Sequence, residues 1–208
     1  MNESRPKRSW FAPIVLALLV FSLMGNVFLY SKQLQQEQRS RIQAGERIIH
    51  SAWDSKQHFD VVLDALTLLI ESKRAVERLE AKQALGYGFK TSHGLSEFIG
   101  AAGAADPREL AGQRRSVETF IIDMELSLSR IANHDGPLSQ QESQYLTKVR
   151  DIYIDLQQQI QQFKVSSTSQ QNALQTANGG PWIDIAFEML SIINKPETIL
   201  YEGVKTTN

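Results

Sequence analysis

The chain has 208 residues and no cysteine. That excludes disulfides, a thiol nucleophile and thiolate metal ligands, and it favours a bacterial origin over a eukaryotic secretory one. Proline is absent between Pro13 and Pro107. Much of that interval is Leu, Ala, Gln, Glu, Lys and Arg, all good helix formers. Charge is absent from Trp10 to Tyr30, a run of 21 residues. Nor is there an excess of one sign. The net charge is −1, and removing three basic residues and one acidic residue before Trp10 from totals of 22 and 23 leaves 19 against 22. So balanced a composition gives no electrostatic footprint for nucleic acid and no strongly basic face for anionic lipid.

What the uncharged run contains is as informative. A helix of that length rises about 30 Å, the thickness of a bilayer's hydrocarbon core. Phe11, Leu16, Leu19, Phe21 and Phe28 make it apolar, and Trp10 and Tyr30 stand at its ends, where amphipathic rings favour the headgroup layer. Pro13 falls in the first turn, where a missing N–H costs little. A cleaved signal peptide is the competing explanation. Its apolar region is usually about 7–15 residues and ends in a small-x-small site. This run is longer and leaves through Val27-Phe28-Leu29-Tyr30, so an uncleaved anchor is expected. Arg5, Lys7 and Arg8 precede it, with Glu3 the one acid beside them. Basic flanks stay cytoplasmic, which sets the N-terminus inside and the rest outside; Lys32, Arg39 and Arg41 on the far flank weaken the contrast.

The expected organisation is a cytoplasmic tail over 1–9, a transmembrane anchor over 10–30, a polar helical stalk over 31–47 with Ala44-Gly45 as a joint, and an extracytoplasmic domain over 48–208. Apolar residues at steps of three and four then form one stripe from Ile48 to Leu79, including Val76, and predict a first long helix ending near Leu85, before Gly86. The stretch 86–105 holds five of the twelve glycines. It reads as a loop to Ser92 or His93, then a short helix in which Gly100 and Gly103 permit close approach. Asp106 and Pro107 resemble a helix start, and Leu110, Val117, Ile121, Met124, Leu128 and Ile131 continue one face. Residues 133–137 read as a turn. Ser139 and Glu142 have capping-box spacing before a helix through Tyr145, Val149, Ile152, Leu156, Ile160 and Phe163. Residues 165–180 lose periodicity and read as a loop or frayed end. Pro181 opens a last helix, which Asn194-Lys195-Pro196 ends. No segment predicts a strand. Single-stripe helices joined by short turns predict an all-α fold, an antiparallel four-helix bundle with some coiled-coil character, carried on the anchor helix.

Chemistry-bearing motifs are sparse. "GYGFKTS" over 86–92 lacks the Gly-Lys-Ser/Thr of a phosphate loop and the strand that feeds one, so it reads as an interhelical loop. Asp54 and His58 lie one helical turn apart, with His50 on the same side, but no Glu-x-x-His pair accompanies them; surface or capping roles are expected for the histidines. No Gly-x-Ser-x-Gly elbow is present. No catalytic, cofactor or metal residues are therefore nominated, and the chain is expected to be non-catalytic. Trp53 and Trp182 sit on apolar stripes, as core residues or as the lining of an interhelical pocket. The Gln-rich face near 157–162 suits solvent or a partner helix. The expected role is a membrane-anchored interaction module outside the membrane. The lipid bilayer and another membrane or envelope protein are its partners, and a second copy of the chain is a further candidate. The alternative is a ligand-sensing bundle that signals through a separate membrane partner.

Overall fold

The computed structural model describes residues 11–106 and 113–201, the side chain of Ala12 excepted; Arg5, Lys7, Arg8 and Trp10 lie outside them. The fold is all-helical, without a strand among the described residues. In chain order the helices are α1 (Phe11–Glu71), α2 (Ala75–Lys90), α3 (His93–Ala105), α4 (Val117–Arg130), α5 (Gln140–Ile160), α6 (Gln170–Ala177) and α7 (Pro181–Asn194).

α1 runs unbroken for 61 residues, a rod of about 90 Å. Its two halves have opposite environments. From Phe11 to Arg41 it is exposed on every side, whereas Ile49, Ala52, Phe59, Val62, Leu66 and Leu69 are buried. Around this distal half lie α2, α3, α5 and α6, while α7 packs on α3 and α5, and α4 packs on α2, α3 and α7. Phe98, Phe120, Tyr153, Leu156, Met189 and Ile193 complete one continuous core.

Several helix boundaries differ from those that the sequence predicts, each for a visible reason. Ala44-Gly45 is not a joint; the helix passes straight through, and Gly45 is where α6 seats, since a Cβ there would lie 1.8 Å from the Ala173 carbonyl oxygen. The first long helix ends at Glu71, not near Leu85. Neither Pro nor Gly marks the break at 72–74. Polar side chains, most of them local and one from the 132–139 turn, stabilise it by satisfying the orphan backbone groups of two helix ends. Glu77 Oε2 accepts from the N–H groups of Lys73 and Arg74 at 3.0 and 3.2 Å, and Asp135 Oδ1 accepts from Ala75 N at 3.2 Å. On the other side, Ser72 Oγ donates to Leu69 O and buried Arg78 donates to Ser72 O. Because the chain reverses here, Val76 and Leu79 leave the core stripe and face solvent.

The stretch 86–92 is helical to Lys90 and turns only at Thr91-Ser92, whose hydroxyls donate to Gly88 O and Phe89 O at 2.7 Å. Of the two α3 glycines expected to approach a neighbour, Gly103 is buried and Gly100 is exposed, and a further close approach is made by Gly94. A Cβ there would fall 2.9 Å from Ser51 O and 2.5 Å from Asp54 Cβ, whereas one on Gly100 would meet nothing. Asp106 ends α3, and the helix expected to start at Asp106-Pro107 falls on residues outside those described. α4 begins after Ser116, whose Oγ accepts from Thr119 N at 3.2 Å; Pro107 and Leu110 lie outside the described residues. Residues 165–180 contain α6, capped by Ser169. The expected capping box stands, with Ser139 Oγ accepting from Glu142 N and Glu142 Oε2 from Ser139 N, and Pro181 occupies the first turn of α7.

Candidate functional site

Among the described residues, three regions stand out beyond ordinary packing: the exposed apolar end of α1, a groove beside α7, and polar groups buried in the core.

The apolar end is the most unusual. Phe11, Leu16, Leu19, Phe21, Phe28 and Tyr30 are each at least 60% exposed, and none of the most apolar 18-residue window is buried. Burying such a side chain is worth about 1.5–3 kcal/mol, so a run of them in water is strongly unfavourable. By length and composition this is the one helix among the described residues that can cross a membrane.

The groove is an open concavity of about 660 Å³ between the α5–α6 connection, α6 and the start of α7. Phe163, Val165, Trp182 and Ile185 supply its apolar lining, and Lys164 and Asn172 are among its polar lining residues. Trp182 is buried, with its Nε1 donating to Thr176 O at 3.0 Å and its ring tilted against Phe98. Trp53 stays outside the groove and fixes its wall: its Nε1 donates to Val165 O at 3.0 Å, and Lys56 Nζ donates to Phe163 O at 2.8 Å. The two tryptophans thus serve one region, each tying down a backbone carbonyl of its lining, and only Trp182 lines the concavity. Loss of periodicity in the sequence marks the connecting segment but not the concavity.

The core holds two polar clusters. His58 is fully buried rather than at the surface, because its position faces α2 and α5, whereas Asp54 is exposed. His58 Nδ1 lies 2.7 Å from Gly88 O and, since a carbonyl only accepts, carries the proton. Nε2 is left without a partner, as is the hydroxyl of buried Tyr153, whose ring centroid is 5.7 Å away. Burial pulls the His58 pKa down to about 4, against a smaller opposing effect of the Gly88 bond. Burial likewise pushes the Tyr153 hydroxyl upward. No group of three or more His, Asp or Glu side chains among the described residues is placed to hold a metal.

The second cluster ties the 132–139 turn to α2 and α5. Arg78, fully buried, donates to the carbonyls of His134 and Gly136. Glu142 Oε1 accepts from Ala132 N at 2.7 Å, and its Oε2 accepts from His134 Nε2 at 3.0 Å. Burial opposes ionisation of Glu142, but the bonds from His134, Ala132 and Ser139 outweigh it and hold the carboxyl at about 2. The same Glu142 bond raises His134. Outside this cluster, Val76, Leu79 and Ile122 form exposed apolar surface on α2 and α4. No protein-family model, curated protein or solved structure matches the chain.

Proposed function

We propose that the chain is a membrane-anchored helical interaction module: residues 10–30 cross the bilayer with the N-terminus cytoplasmic, and the domain beyond stands outside as a non-catalytic scaffold, assembly factor or regulator at the cell envelope. One observation carries the reading. The apolar end of α1 takes no part in the core, yet continues without a break into the helix on which the core is built. Lipid is the environment that relieves about thirty ångströms of exposed apolar helix. Within this reading the domain is a four-helix antiparallel bundle in outline, with α1, the α2–α3 arm, α7 and α5 as its long members. The exposed apolar side chains of α2 and α4 are its contact surface for an envelope protein.

A second reading, a ligand sensor acting through a separate membrane partner, is favoured by the groove at Trp182. Its size suits a small molecule, and an apolar lining with a few polar groups is the usual make-up of such sites.

Alkaline extraction of membranes and protease treatment of intact cells test the anchor and its orientation. The chain is expected to stay in the membrane pellet, and its C-terminal portion to be digested from outside. Release into the supernatant, or a C-terminal portion that resists external protease but is cut in lysates, would sink the proposal. Proximity labelling from the C-terminus identifies the partner. A thermal-shift screen of small molecules on the full chain in detergent decides between module and sensor.

A further inference from the structure

Ser22 and Asn26 lie one helical turn apart on the exposed end of α1, and neither side chain makes a hydrogen bond among the described residues. A line drawn through them at alternating steps of four and three runs from Val15 to Gln43. It passes through Leu19, Leu29 and Gln33, carries no charged residue, and is exposed throughout. We propose that this line is a self-association surface, along which two copies of the chain pair in parallel with Asn26 against Asn26. The inference rests on residues 10–30 spanning the membrane.

Three features select a second copy as the occupant. First, a carboxamide is its own complement, with two donors and an acceptor. Identical helices in register place each Asn26 amide where the other can satisfy it, and interhelical bonds of this kind hold transmembrane helices together. Second, copies inserted by the same charge rule share one orientation, so the pairing is parallel. Third, the stalk is charge-complementary to itself in that register. With Asn26, Leu29, Gln33 and Gln36 at the seam, Lys32 immediately precedes a seam position and Glu37 immediately follows the next. In a parallel pair these flanking positions, five residues apart, meet across the interface. Lys32 of each copy therefore faces Glu37 of the other. Lys32 makes no ion pair among the described residues, and Glu37 accepts a bond from Gln33 of its own helix at 3.2 Å.

The opposite face of α1 has a charge-free line as well, from Ala17 through Phe21 and Met24 to Gly45. It offers no amide or hydroxyl within the span, and α6 closes it at Gly45. The seam through Asn26 stays open beyond Gln43, to exposed Arg47. Its stalk positions are Gln and Ser, which add little in water, so the association lies in the span.

The absence of cysteine makes the test direct. Single cysteines are placed at each position from Leu18 to Leu29 of the full chain, and oxidative crosslinking is measured in isolated membranes. Crosslinking is expected to peak at 19, 22 and 29, and to be weak at 26, where cysteine removes the carboxamide. Asn26→Leu should lower the dimer fraction about five- to tenfold, and Asn26→Gln should retain it. Lys32→Glu should weaken the dimer, and adding Glu37→Lys should restore it. A peak at Phe21, Met24 and Phe28, equal crosslinking at all positions, no crosslinked dimer, or an Asn26→Leu dimer as strong as wild type would each overturn the pairing. A chain that stays in the alkaline membrane pellet without pairing overturns only this inference. A chain that is released overturns the anchor.

Discussion

Gly45 of α1 and Ala173 of α6 meet backbone to backbone: a Cβ on Gly45 would fall 1.8 Å from the Ala173 carbonyl oxygen and 2.8 Å from its Cα. Gly45→Ala should therefore destabilise the domain by about 1–3 kcal/mol, despite the better helix propensity of alanine. The segment around α6 should become the first site of proteolysis. Gly86→Ala is the control. Gly86 lies inside α2 with nothing within 4 Å of a Cβ, so that change should stabilise by about 0.5–1 kcal/mol. Chemical denaturation of the two variants decides both signs.

Arg78 is expected to be among the most sensitive positions of the domain. Its guanidinium holds three carbonyls, those of Ser72, His134 and Gly136, and so joins the α1–α2 break to the α4–α5 turn. Charged hydrogen bonds contribute about 1.5–3 kcal/mol each, and the carbonyls would be left unpaired. Arg78→Met should cost at least about 3 kcal/mol in denaturant unfolding, with Arg78→Lys intermediate.

His58 should make the domain acid-sensitive. Its pKa is near 6.5 when unfolded and about 4 when folded, so the unfolded chain binds the proton first. The stabilisation is complete above pH 6.5 and is lost as pH falls toward 4, at most about 3 kcal/mol. His58→Phe should flatten the stability profile between pH 6.5 and 5, as followed by thermal unfolding across that range.

The Glu142 cluster acts with two opposite signs. Glu142, at about 2 when folded, stabilises above pH 4.5, and that support is lost as pH falls toward 2. His134, raised above 6.5 by the same bond, stabilises below pH 6.5 and ceases to as pH rises through its folded value. NMR titration should find His134 above 6.5 in the wild type and back near it in Glu142→Gln. Ser139→Ala should cost about 1 kcal/mol, and Glu142→Ala more, because Ala132 N also loses its acceptor.

Helices whose ends are encoded locally were legible in the sequence: Ser139 with Glu142, and Pro181 at the opening of α7. The α1 break was not, because its local cap, Glu77, follows no Ser, Thr, Asp or Asn at the N-cap, and the other supports, Asp135 on Ala75 N and the turn that Arg78 also holds, lie about sixty residues away in the chain. The phase of the apolar stripe resets there, which misassigned Val76 and Leu79 to the core. Glycine was legible as a sign of close approach but not of which glycine; Gly45 and Gly94 face a neighbour, and Gly100 does not. For the site, a first helix long and apolar enough to cross a membrane was readable from length and composition alone. Trp182 was readable as core or pocket lining, but the groove around it was not, since much of its lining comes from 164–180, which has no periodicity in the sequence. The burial of His58 likewise depends on α2 folding back over it.

The continuity of α1 couples its ends mechanically. A rod of about 90 Å with no hinge delivers a twist of the first thirty residues to the core as the same angular displacement, and a ten-degree tilt swings the far tip by about 15 Å. Leu68 and the loop at 72–74 stand at that tip, so a rigid-body tilt of the helix about residues 11–30 displaces them farther than any residue nearer its start.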